Sequence, residues 1–171
     1  MKNICKISFL AMLMMVPFCW LAGYRLNFTP SLPIGLYQII DGPVHRGQLA
    51  TFCLEDIYYT NLARERAYLA AGSCSSGLRP LLKVISGVAG DSVELQDGVI
   101  VVNGQTLDGT AVVSTDSKGR PTPQSNLKPG IIPPGKVLVL SQHHRGSFDS
   151  RYFGLVPLET LRLVRPVIIL K

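Results

Sequence analysis

A serine, a lysine and a Ser-x-Asp-Ser-Arg cluster are the residues whose types could do chemistry together in this chain. Ser31 lies in Asn27-Phe-Thr-Pro-Ser-Leu-Pro-Ile-Gly-Leu-Tyr37, and no histidine is near it in sequence. A base for its hydroxyl would have to come from elsewhere. Lys83, in Pro80-Leu-Leu-Lys-Val-Ile85, is the candidate. In a strand alternate side chains face opposite sides, so Leu81 and Ile85 share the face of Lys83 while Leu82 and Val84 take the other. Both faces are apolar. A lysine there is desolvated, which disfavours its ammonium and lowers its pKa. A neutral amine can then take a proton from a serine hydroxyl. The competing reading is an edge-strand lysine whose head reaches water.

The third cluster is Gly146-Ser-Phe-Asp-Ser-Arg-Tyr-Phe-Gly-Leu-Val-Pro157. Ser147 and Ser150 offer hydroxyls that could orient a lysine head. Asp149 and Arg151 are close enough to pair, and on a surface turn such a pair contributes little to stability. A Ser31–His144–Asp149 triad is the weaker alternative, because adjacent histidines (His143, His144) in a polar loop are usually solvated. The region has too few ligands for a metal site, and no metal or other cofactor is expected. Around Ser31, Pro30 and Pro33 hold Thr29 and Leu32 extended. A stiff, extended segment suits a substrate laid alongside as a strand, and the Thr29 hydroxyl could join the Ser31 N–H in binding an oxyanion.

Short strands must position these groups. Leu36 to Ile40, Gln48 to Leu54, Leu78 to Val88, Val137 to Ser141 and Leu161 to Leu170, broken at Pro166, read as strands. Ser92 to Gln96 and Val99 to Val102 flank Asp97-Gly98, a tight-hairpin signal, and Asn103-Gly104 marks a second turn. Asn61 to Ala71 is rich in helix formers and stops at Gly72, so a helix is expected there. Residues 114 to 135 read as loop and His143 to Phe153 as polar and irregular. The pattern is mainly β, a folded or closed sheet in one domain.

Residues 7 to 24 carry no charge, and ~18 apolar residues are near the minimum for crossing a bilayer core of ~30 Å. Lys2 and Lys6 precede them, which keeps the N-terminus cytoplasmic and exports the rest. Residues 1–25 are therefore read as a membrane anchor, in preference to a cleaved signal, and 26–171 as an exported domain. The 171-residue chain has 17 Lys+Arg and 11 Asp+Glu, a charge of +6. Half of that surplus sits at Lys2, Lys6 and Arg25, and no basic stripe with aromatics remains, so nucleic-acid binding is not expected. Cys53 and Cys74 lie in the exported part, where a disulfide is favoured over two free thiols.

Four segments in order resemble the signal peptidase I family of Ser–Lys proteases. Thr29-Pro-Ser-Leu-Pro33 is similar to its nucleophile motif. Leu82-Lys-Val-Ile-Ser-Gly-Val-Ala-Gly-Asp91 is similar to its lysine motif, and Asp97-Gly-Val-Ile-Val-Val-Asn-Gly104 to the hairpin that follows. Ser147 to Pro157 is similar to its Ser-x-Asp-Ser-Arg-x-x-Gly motif. The resemblance implies Ser31 as nucleophile, Lys83 as general base, Thr29 at the oxyanion hole, Ser147 orienting the lysine, and Asp149 and Arg151 in support. It also implies a fold of coiled antiparallel sheets with one N-terminal transmembrane helix.

Two departures from the housekeeping enzymes point to a branch. Leu32 stands where those have methionine, and Pro33-Ile-Gly-Leu-Tyr37 with the short length resembles the conjugative-transfer branch, the TraF-type pilin-maturation peptidases. Gln142-His-His-Arg145 stands where the housekeeping enzymes have Gly-Asp-Asn-Arg. The branch implies an inner-membrane enzyme acting on a pilin precursor at the periplasmic face through an acyl-enzyme, released by water or, in a cyclisation, by the pilin's own amine. A general signal peptidase and a non-catalytic component of a transfer channel are the alternatives.

Overall fold

The computed structural model describes residues 17–170. Most of the anchor expected over residues 1–25 lies outside them. Among the described residues no helix is long and apolar enough to cross a membrane. Residues 17–21 are helical, and the first strand begins at Tyr24, so Tyr24 and Arg25 belong to the sheet and not to the apolar segment.

Eleven strands form two antiparallel sheets among the described residues. The larger has the order β1 (Tyr24–Asn27), β2 (Gly35–Ile40), β11 (Arg162–Ile169), β3 (Leu49–Phe52), β4 (Leu81–Gly87), β9 (Lys136–Leu140), β10 (Val156–Pro157). The smaller has the order β7 (Gln105–Thr106), β6 (Val99–Val102), β5 (Ser92–Gln96), β8 (Gly130–Ile131). The β5–β6 hairpin has the bounds its sequence predicts. Asp97 and Gly98 both take positive φ, 50° and 78°, as the tight two-residue turn requires. Asp91 ties this hairpin to the end of β4. Its carboxylate accepts the Val88 N–H at 2.8 Å and the Asn103 amide at 2.7 Å. Desolvation pushes the Asp91 carboxyl up, but these bonds outweigh it and hold the group below its ordinary value.

β9 is the central element. Its Val137 and Val139 enter one core, with Phe52, Tyr59, Ile85, Phe148 and Phe153. Its Leu138 and Leu140 enter the other, with Val93, Ile100, Val102 and Ile132. A strand buried on both faces reads as a continuous apolar run, and Val-Leu-Val-Leu is that run. At Pro166 the pairing of β11 with β2 shifts register, so the expected break in the last strand is a bulge and the strand continues.

Two expectations need correction. The helix, α1, spans Ile57–Glu65 and not Asn61–Ala71. Asp56 caps it by accepting the Tyr59 N–H, and Tyr59, Leu62 and Ala63 bury its inner face. Packing and the cap outweigh the strand preference of Ile57-Tyr-Tyr-Thr60. Ala67, at φ 55°, ends the helix five residues before Gly72, with the Tyr68 N–H returning to the Ala63 carbonyl. Second, the segment from Ser147 to Phe153 is not a polar irregular loop. It is buried throughout and forms the short helix α2 (Ser150–Phe153), whose aromatics stack in the first core.

Candidate active site

β4 carries Lys83 between two buried neighbours on its own face, Leu81 and Ile85. The lysine is 3% exposed, so its head does not reach water. Nζ donates to Ser147 Oγ at 2.8 Å. Burial pulls the lysine pKa down from its ordinary value to about 8, against the Asp149 charge, which raises it, while Arg151 lowers it further. Roughly a tenth of the amine is then neutral at pH 7, the protonation state a base needs.

Ser147 is mounted on a rigid platform. Asp149 and Arg151 form a fully buried, two-pronged ion pair, with Nε to Oδ1 and Nη2 to Oδ2 both at 2.8 Å. Arg151 also donates to the carbonyls of Arg145 (2.9 Å) and Ser147 (3.1 Å). Asp149 accepts the Ser141 N–H at 3.0 Å, and Ser150 Oγ accepts the Val139 N–H at 3.0 Å. Side chains of this segment therefore take the place of a neighbouring strand along the end of β9. Isolated buried charges would be costly; here each oxygen and each nitrogen of the pair has a partner. The surface ion pair that the sequence also allowed is excluded by this burial.

Ser31 sits in the loop joining β1 to β2. Its carbonyl accepts a hydrogen bond from Ser141 Oγ. β4 pairs with β9 with Val84 opposite Leu140, so one further step along the ladder brings Lys83 level with Ser141. Ser141 is thus the joint between the Ser31 loop and the Lys83 strand. Lys83 Nζ makes its hydrogen bond to Ser147, and among the described residues Ser31 Oγ makes none.

Thr29 Oγ1 bonds to Asn27 Oδ1 at 2.7 Å. Asn27 Oδ1 has no hydrogen, so the threonine is the donor, and its proton faces Asn27 and not the position of an oxyanion. His143 and His144 are exposed, and both oxygens of Asp149 are occupied by Arg151 and backbone N–H groups. The Ser31–His144–Asp149 triad is therefore not assembled. No cluster of three or more His, Cys, Asp or Glu is placed to hold a metal among the described residues. Cys53 and Cys74 are bonded, joining the end of β3 to the segment before β4.

Two residues escaped the sequence reading. Ser141 is one more serine after an apolar strand, with no local signal. Asn27 stands inside the Ser31 motif, but only the folded loop reveals how many groups it holds.

Lys83 is kept dry beside Ser147, and the Ser31 loop, which turns at Pro30 and Ser31 and is not the extended segment its prolines led one to expect, is fastened to the end of β9 through Ser141. The chain is a member of the signal peptidase, peptidase S26, family, which matches residues 1–165, and it is a serine peptidase by that membership. Its relatives over most of its length include TraF proteins. The plasmid transfer protein TraF of Escherichia coli is 33% identical over 159 residues, covering 92% of this chain and 90% of that protein. The conjugal transfer protein TraF of Agrobacterium tumefaciens (strain 15955) is 40% identical over 149 residues, covering 85% and 82%. A solved signal peptidase I from Enterococcus faecalis aligns with 71% of this chain and 95% of its own at 21% identity, with a TM-score of 0.37.

Proposed function

We propose that this protein is a membrane-anchored serine endopeptidase that matures a pilin precursor for conjugative transfer, with Ser31 as nucleophile and Lys83 as its base. The observation that carries the reading is the buried Lys83, hydrogen-bonded to Ser147 and level with the Ser141 that grips the Ser31 loop. Neutral Lys83 takes the Ser31 proton as Oγ attacks the scissile carbonyl. The Ser31 N–H, which has no partner among the described residues, donates to the oxyanion. Thr29, whose hydroxyl ends on Asn27, holds the loop beside it. The Lys83 ammonium then protonates the leaving amine, and an acyl-enzyme remains on Ser31. Water, or the pilin's own terminal amine, resolves that ester. Ser147 holds the Lys83 head on line, and Asp149 and Arg151 hold Ser147.

The domain works at the periplasmic face of the inner membrane, anchored by the apolar segment that precedes β1. Leu26, Phe28 and Ile34 flank Ser31 and are exposed, as suits a site working against a membrane-tethered substrate. The relatives' names place them in plasmid and conjugal transfer, which supports a pilin-like substrate over a broad set of leader peptides.

Mass spectrometry of the pilin co-produced with wild type, Ser31→Ala or Lys83→Ala tests this. Trimming by wild type and none by either variant is expected. A trimmed product lighter by one water indicates ring closure, and a linear one hydrolysis. Equal trimming by Ser31→Ala would overturn the assignment, and cleavage of unrelated leader peptides would move it to a general signal peptidase.

A further inference from the structure

Asn27 is the last residue of β1, buried, and its carboxamide faces the loop that carries Ser31. Nδ2 lies 3.1 Å from each of the carbonyls of Thr29, Leu32 and Pro33, its two protons shared among the three. Oδ1 accepts the Thr29 N–H at 3.2 Å and the Thr29 hydroxyl at 2.7 Å. No other orientation of the amide works, because three carbonyl oxygens demand the NH₂ end and a backbone N–H demands the oxygen. One side chain therefore grips the loop two residues before Ser31 and again one and two residues after it. The Tyr37 hydroxyl adds a bond to the Pro33 carbonyl at 2.6 Å, and Ser141 Oγ holds the Ser31 carbonyl. The carbonyls of Thr29, Ser31, Leu32 and Pro33 are all held, while Ser31 Oγ and N–H are left without partners among the described residues.

We propose that Asn27 is the positioning residue of the nucleophile loop: it locks the backbone on both sides of Ser31 so that Oγ meets the lysine strand, and it sets the rotamer of Thr29. This rests on Ser31 being the nucleophile. Asn27 touches no reacting atom, so its effect falls on the geometry of attack. Thr29 belongs to the same clamp, since its hydroxyl and its N–H both end on Asn27.

The test is steady-state cleavage of the pilin precursor by full-length enzyme in detergent, comparing wild type with Asn27→Ala, Asn27→Asp and Ser31→Ala. Misplacing the nucleophile by about 1 Å costs roughly 10²-fold in rate, so Asn27→Ala is expected to lose about that in kcat with KM nearly unchanged. The midpoint of its pH profile should stay at the wild-type value, because the lysine environment is untouched. Asn27→Asp keeps the acceptor for Thr29 but turns an oxygen towards three carbonyls, so it should lose at least as much. Asn27→Ser, smaller and still polar, is read in the same way if Asn27→Ala does not accumulate folded, as judged by its melting curve. A kcat within twofold of wild type in a folded Asn27 variant overturns the proposal, as does a loss confined to KM. If Ser31→Ala is inactive while Asn27→Ala cleaves normally, only this inference falls. If Ser31→Ala also cleaves normally, the peptidase assignment itself falls.

Discussion

Lys83 is the residue where function and stability oppose each other. Its pKa is about 8 because burial penalises the ammonium, and the same penalty weakens the fold while the proton is on. Activity should therefore rise through a midpoint near pH 8, with a single ionisation on the acid limb of kcat/KM. A rate flat from pH 6 to 9 would remove lysine as the base. The stability consequence follows from proton linkage. Between pH 8 and its ordinary value of 10.5, the unfolded chain holds a proton that the folded chain has released, so wild-type stability gains as pH rises through that window. Lys83→Met has no such term. It should be more stable than wild type by about 3 kcal/mol at pH 7, with the advantage fading towards pH 10.5. Urea titrations at pH 7 and pH 10 measure this, and a difference independent of pH would contradict the buried ammonium. Arg151 has no such trade-off. Arg151→Leu strands the buried Asp149 carboxylate and leaves several carbonyls unpaired, so a loss of about 3–5 kcal/mol is expected in the same titration.

Among the elements, the β2–β11 pairing holds the base of the loop that carries Ser31. Gly35 opens β2 directly opposite the bulged end of β11, and a Cβ there would stand 2.2 Å from the Ile168 carbonyl oxygen. That neighbour is backbone, so no side-chain rotation relieves the clash. Gly35→Ala is expected to destabilise the chain by about 2–4 kcal/mol and to lower cleavage at temperatures where it still folds. Calorimetry and the pilin assay together check it, and a wild-type melting temperature would show that the β11 end can move aside. In sequence, Gly35 reads only as part of Pro-Ile-Gly-Leu-Tyr. β2 and β11 were legible from their apolar runs, whereas β1, which pairs with Gly35 through Asn27, was not read as a strand. The helix limits were not legible either, because Asp56 and the core contacts of Tyr59 and Leu62 decided them.

At the scale of the whole molecule, the site is a meeting of three distant stretches: the β1–β2 loop, β4, and the end of β9 with the segment after it. β9 holds them together because it is buried between two cores. The Cys53–Cys74 bridge joins the end of β3 to the segment before β4, closing the connection that contains α1. Its two cysteines are 21 positions apart, and closing such a loop is worth about 3 kcal/mol on the chain-entropy account. A Cys53→Ser, Cys74→Ser variant should therefore melt well below wild type yet cleave at a near-normal rate at 25 °C. A large fall in kcat at that temperature would mean that the bridge also shapes the site.

The sequence by itself determined the chemistry on offer and much of the strand pattern. A serine between prolines, a lysine in an apolar strand and a Ser-x-Asp-Ser-Arg run are local facts, and the two-residue turns at Asp97-Gly98 and Asn103-Gly104 dictate their hairpins through backbone geometry alone. Tertiary structure decided which hydroxyl meets the lysine and whether the Asp149–Arg151 pair faces water or the core. It also decided that Ser141 joins the Ser31 loop to the lysine strand. Those outcomes depend on burial and on pairing between strands more than fifty residues apart, and burial is a property of the assembled sheets, which no local window of residues contains.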